Sequence, residues 1–165
     1  MVGDLVTPWA LAFLPGGGLL VTERDGELLH IRADGSRVSV AGVPEVAARG
    51  QGGLLDVMLP RDFATSRALF LTFSKPQRGG AGTALASARL SDDGTALEDL
   101  RILFELAPGS SGGRHFGSRV VEGADGLLYM TIGDRGDDSS AQDRSRQNGS
   151  VIRLNRDGSV PADNP

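Results

Sequence analysis

Three glycine-rich stretches hold the residues best suited to chemistry. The segment Ser110-Ser111-Gly112-Gly113-Arg114-His115-Phe116-Gly117-Ser118-Arg119 places His115 between two arginines, just before an apolar run. A histidine in such a loop can serve as a general base near neutral pH. The flanking guanidinium groups oppose a further positive charge, which suits that role. A solvated loop histidine is the plainer reading of the same residues. Ala48-Arg49-Gly50-Gln51-Gly52-Gly53 carries one amide side chain among glycines that let backbone approach a ligand. A simple connecting loop accounts for it equally well. Gly133-Asp134-Arg135-Gly136-Asp137-Asp138 offers carboxylates to a cation such as calcium, without the spacing of an EF-hand loop. Asp134 follows directly on an apolar run and is the candidate for a fixed role. Asp137 and Asp138 read as a solvated acidic loop. His30, inside a strand pattern, reads as structural.

The elements that must position these groups are short strands. Leu11-Ala12-Phe13-Leu14, Leu19-Leu20-Val21-Thr22 and Leu28-Leu29-His30-Ile31 are separated by Pro15-Gly16-Gly17-Gly18 and Arg24-Asp25-Gly26, and Asp34-Gly35 follows. Such a pattern predicts a meander of hairpins. The unit returns as Leu128-Tyr129-Met130-Thr131-Ile132, then Val151-Ile152-Arg153-Leu154 and Asp157-Gly158. A looser copy joins Leu54-Leu55-Asp56-Val57-Met58-Leu59, Ala68-Leu69-Phe70-Leu71-Thr72-Phe73 and the run Ala84 to Leu90, with Asp93-Gly94 after it. Three irregular copies roughly 40–65 residues apart are the signature of propeller blades. A β-sandwich of similar strands is the alternative. The expected fold is all-β, a β-propeller with about two to three blades, in approximate units 5–45, 46–100 and 101–165 of one partial domain. The polar stretch Ser139 to Asn148 is expected to be a long loop over the channel entrance. A closed propeller has about 4–8 blades, so the chain reads as the N-terminal portion of a larger one.

Composition sets the outer limits. The chain has 165 residues, with 24 glycines, 8 prolines, no cysteine and 5% aromatics. Frequent glycine favours turns and disfavours a helical bundle. Without cysteine there is no disulfide, no thiolate metal site and no cysteine nucleophile. A formal net charge of −4 lacks the basic field that nucleic-acid binding needs. No apolar run is long enough for a membrane span. The opening Met1-Val2-Gly3-Asp4-Leu5 has no basic and apolar leader, so no signal peptide is expected in this chain.

Five ordered stretches together resemble the soluble glucose/sorbosone dehydrogenases, the quinoprotein aldose sugar dehydrogenase family. They are Pro8-Trp9-Ala10-Leu11-Ala12-Phe13, Gly50-Gln51-Gly52-Gly53-Leu54-Leu55-Asp56, Arg114-His115-Phe116-Gly117-Ser118-Arg119, Thr131-Ile132-Gly133-Asp134-Arg135-Gly136 and Arg153 to Pro165. The resemblance implies a six-bladed propeller, located in the periplasm or secreted, that carries pyrroloquinoline quinone (PQQ) and Ca2+. It implies oxidation of the C1 hydroxyl of an aldose and transfer of electrons to an external acceptor. His115 is then the base and a cofactor contact, and Asp134 orients it. Gln51 touches both quinone and sugar, and Arg114 and Arg135 lie on the substrate side. Arg114 stands where the glucose-specific branch has aspartate, which points to the broader aldose branch. Most PQQ and calcium ligands of the family are expected beyond residue 165, so no metal ligand is assigned here. Two other readings are a non-catalytic propeller that only binds and a calcium-dependent lactonase-like propeller.

Overall fold

Strands of three to eleven residues cannot each bury a face alone, so this chain stacks them as sheets. The structure, a computed structural model, describes residues 3–164. Met1, Val2 and Pro165, which entered the leader and C-terminal motif readings, lie outside them. The first sheet has β1 (Pro8–Leu14), β2 (Gly18–Glu23), β3 (Glu27–Ile31) and β4 (Arg37–Ser39), in that order. The second has β5 (Leu54–Met58), β6 (Ala68–Gln77), β7 (Gly80–Leu90) and β8 (Leu97–Glu105). The third has β9 (Gly117–Glu122), β10 (Leu128–Ile132) and β11 (Val151–Leu154). All neighbours pair antiparallel, as tight connections require. This is an all-β fold, part of a β-propeller.

The strands β4 and β8 have no counterpart in the apolar pattern. β4 is only three residues long. β8 is mostly exposed, and its apolar residues follow no clean alternation. The second sheet also has one helical turn, α1 (Phe63–Ser66), that buries Phe63. The stretch expected to be a plain loop contains a 3-10 turn over Asp138–Gln142, with Ser140 buried.

Sequence alternation decides what lies between the sheets. Leu20 and Leu28 from the first sheet meet Leu69, Leu71 and Phe73 from the second in one core. On the opposite face of the second sheet, Phe70 and Leu85 meet Val120, Leu128 and Met130 from the third. Removing each such side chain from water contributes about 1.5–3 kcal/mol. A polar device recurs inside these apolar layers. The buried Thr22 hydroxyl accepts from the Ala10 amide at 3.0 Å and donates to the Leu55 carbonyl at 2.6 Å. The Thr72 hydroxyl accepts from the Asp56 amide at 2.9 Å and donates to the Ser118 carbonyl at 2.7 Å. Each threonine thus fastens its own sheet to the next. Asp56 adds a second tie between the second and third sheets. It accepts from the Val120 amide at 2.8 Å and from Arg119 at 3.1 Å.

Candidate active site

The loops before β5 and β9 meet because glycine permits it. Gly50 has φ +62, and a Cβ there would collide with the Gly113 carbonyl. The Gln51 amide donates to that carbonyl at 2.7 Å. The Gln51 side-chain oxygen in turn accepts from the His115 amide at 2.7 Å. That leaves the Gln51 NH2 free to donate outward. His115 holds φ +54, a conformation a non-glycine residue adopts only when its surroundings impose it.

The third glycine-rich stretch ends β10 and comes up beside His115. A Cβ on Gly133 would overlap the His115 carbonyl, so only glycine lets the two loops close. Asp134 Oδ1 then lies 2.7 Å from His115 Nδ1. It also accepts from the Gly136 amide at 2.7 Å. The Gly136 amide and then the His115 ring hold the Asp134 carboxyl below its ordinary value. An ionised carboxylate only accepts, so the proton of a neutral His115 sits on Nδ1. Nε2 therefore presents a lone pair.

The residues around His115 are fixed from below. Arg135, expected on the substrate side, is only 6% exposed, and its guanidinium carbon lies 3.4 Å from the centre of the Phe116 ring. It donates to the carbonyls of Arg114 and Ala81. Burial pushes this guanidinium down from its ordinary value, against the pull of Asp134. The buried Thr83 hydroxyl donates to the Phe116 carbonyl at 2.9 Å. His115 and Arg114 remain exposed above this support.

A cleft beside the imidazole is lined by Trp9, Gln51, Leu55, His115, Phe116 and Gly117. Gln51, His115 and Asp134 thus come together as expected from the sequence. Asp137 does not join them, and it pairs with Ser139 and Arg146. Among the described residues no three His, Asp or Glu side chains gather as a cation site. His30 is elsewhere, its Nδ1 at 3.0 Å from the Gly94 carbonyl. Trp9, Leu55 and Thr83 escaped the sequence reading. The repeat did contain a signal, because Trp9 and Leu55 hold the same register in β1 and β5.

A half-exposed histidine held by carboxylate and amide at the loops of a partial propeller defines a class of site: a base beside an open cleft. The comparisons then fix the family. The glucose/sorbosone dehydrogenase family model matches residues 5–165, and the chain belongs to that family. It is 46% identical over 161 residues to aldose sugar dehydrogenase YliI of Escherichia coli, covering 96% of this chain and 43% of that protein. A glucose dehydrogenase crystal structure superposes with a TM-score of 0.94 at 44% identity, covering 98% of this chain and 48% of that one. The PQQ-bound aldose sugar dehydrogenase of Streptomyces coelicolor matches with a TM-score of 0.88 at 30% identity, covering 99% of this chain and 49% of that one. The chain therefore spans less than half the length of these relatives. No helix among the described residues is long and apolar enough to cross a membrane.

Proposed function

We propose that this chain supplies the base-bearing part of a PQQ-dependent aldose dehydrogenase. The observation that carries the reading is the 2.7 Å contact between His115 Nδ1 and Asp134, which leaves Nε2 as the uncommitted ring nitrogen of a histidine that lines the open cleft. The donor chemistry fits one edge of a planar quinone. Trp9 and Phe116 supply apolar surface, and the free Gln51 NH2 and His115 Nε2 supply polar contacts. When bound, PQQ would supply the two-electron acceptor for the hydride leaving C1 of the sugar. His115 Nε2 takes the proton of the C1 hydroxyl, so that loss of proton and hydride leaves the lactone. Asp134 keeps the ring in its tautomer and stabilises the charge that it gains. Gln51 holds the His115 backbone in place and presents its amide to the ligand. Arg114, exposed beside His115 in sequence, would meet a sugar hydroxyl by family resemblance. Arg135 supports the loop from beneath.

Further parts of the reading rest on family resemblance. They are Ca2+ as a second cofactor, a periplasmic or secreted location, an external electron acceptor and a single partial domain with the unit divisions given above. Dye reduction with an aldose, PQQ and Ca2+ tests the central claim, in this chain and in a form extended to the relatives' length. Turnover lost in His115→Ala is the expected result. If the extended form neither binds PQQ nor turns over, the dehydrogenase reading fails.

A further inference from the structure

One arginine of the first sheet reaches into the loop that bears Gln51. Arg24 directly follows β2, and its backbone is held on both sides. Its amide donates to the Thr7 carbonyl at 3.1 Å, and its carbonyl accepts from the Leu54 amide at 2.9 Å. That approach needs glycine at position 53, where a Cβ would overlap the Arg24 carbonyl. From this base the side chain spans the loop, and Nη1 donates to the Gly50 carbonyl at 2.6 Å. An ion pair does little to place the guanidinium, because Asp25 is exposed and lies 4.0 Å from Nη2. Nε is buried and has no hydrogen-bond partner among the described residues. An unpaired buried donor opposes folding. The side chain keeps its place against that cost, and its one short bond goes to Gly50.

That bond and the Gln51–Gly113 contact act on the same peptide unit. The Gly50 carbonyl and the Gln51 amide share one plane. Arg24 donates to the carbonyl, and the Gly113 carbonyl accepts from the amide at 2.7 Å. Gly50, at φ +62, lies in a turn closed by the Gly52 amide on the Arg49 carbonyl at 3.0 Å. Glycine gives this peptide more freedom than any other residue would, and the two bonds remove it. The far end of the loop is secured separately, since the Gly53 amide donates to the Ser74 hydroxyl at 2.7 Å. The Arg24 guanidinium therefore bears on the Gln51 end. Gln51 carries the constraint to the base, because its side-chain oxygen accepts from the His115 amide at 2.7 Å.

We propose that Arg24 is a positioning residue for His115, acting through the Gly50–Gln51 peptide. Its effect on turnover rests on the dehydrogenase reading, and the pinning of the loop does not. Arg24→Met keeps an unbranched side chain and removes the donors, whereas Arg24→Lys keeps a cationic donor. Amide hydrogen exchange reads the pinning, in the 165-residue chain and in the form extended to the relatives' length. The Gln51 and His115 amides should exchange roughly tenfold faster in Arg24→Met, with Arg24→Lys between it and the parent. The Leu54 amide, bonded to the backbone carbonyl of residue 24, and the Ser74 amide, bonded to the Gly53 carbonyl, should not change. In the extended, PQQ-loaded form, kcat of Arg24→Met should fall roughly tenfold or more while KM for the aldose changes less, and Arg24→Lys should recover part of the loss. Unchanged exchange at Gln51 and His115 overturns the proposal. So does exchange that quickens equally at Leu54 and Ser74, which marks a general loosening. An unchanged kcat in an extended form that turns over overturns it as well. If the extended parent neither binds PQQ nor turns over, the dehydrogenase reading falls, and the exchange rates still decide whether Arg24 pins the loop.

Discussion

At the residue scale, His115 is defined by the contacts that hold it. Gln51 takes its amide, Asp134 takes Nδ1, and Arg135 and Thr83 hold the carbonyls on either side. The tautomer therefore depends on Asp134. Long-range 15N–1H spectra at pH 8 should show His115 protonated at Nδ1 and bare at Nε2. Asp134→Asn should lose that bias, and turnover of a loaded, extended form should fall roughly 10²–10⁴-fold. Arg135 should act on stability instead. Arg135→Met removes a cation stacked on Phe116 and takes the guanidinium donor from the Arg114 carbonyl, while the Ala81 carbonyl keeps the Ser110 amide. The expected loss is about 2 kcal/mol, or roughly 4–8 °C in Tm, read by thermal unfolding. The glycine-rich stretches marked Gln51, His115 and Asp134 in the sequence because positive φ and close approach demand glycine there. They did not separate Arg135 from Arg114. Both are loop arginines, and only the fold decides which one is covered.

At the element scale, the Thr repeated in the second strand of each sheet was visible as a pattern, but its reason was not. A sequence shows that Thr22, Thr72 and Thr131 recur. Packing shows that the first two are buried and bridge sheets. Asp56 is similar: nothing in Leu54-Leu55-Asp56 announces that its carboxylate caps a strand of the next sheet. Burial pushes this carboxyl up from its ordinary value, and the Val120 amide, Arg119 and the Val57 amide oppose the shift. Asp56→Ala leaves the buried Val120 amide without its acceptor and ends the contact to Arg119. A cost of about 2–3 kcal/mol is expected, again as a drop in Tm. Asp56→Asn should recover part of it, because one oxygen still accepts. β8 went unread for the opposite reason. Its exposed residues mix Leu100 and Ile102 with charged groups, so no alternation signalled a buried face, and pairing with β7 makes it a strand.

At the scale of the whole molecule, the repeat copies a carboxylate device along with the strands. Asp34, Asp93, Asp125 and Asp157 each precede a glycine with φ between +71 and +90. Each accepts the backbone amide two residues on, from Ser36, Thr95, Leu127 and Ser159, at 2.8 to 3.1 Å. The side-chain hydroxyls of Ser36, Ser91, Tyr129 and Ser159 and then these amides hold the four carboxyls below their ordinary value. A carboxyl lowered in the folded state contributes stability that is fully present above its unfolded value. That contribution is lost as pH falls through the folded value. The raised Asp56 carboxyl works in the opposite direction and is a single group. Thermal unfolding should therefore show Tm nearly constant from neutrality to about pH 5, then falling below the ordinary carboxylate range. The joint replacement of Asp34, Asp93, Asp125 and Asp157 by Asn keeps the turn bonds and removes the titration. It should flatten the decline below pH 4 with little change in Tm at neutrality. An acid decline as steep as that of the parent would show that the turns do not govern it.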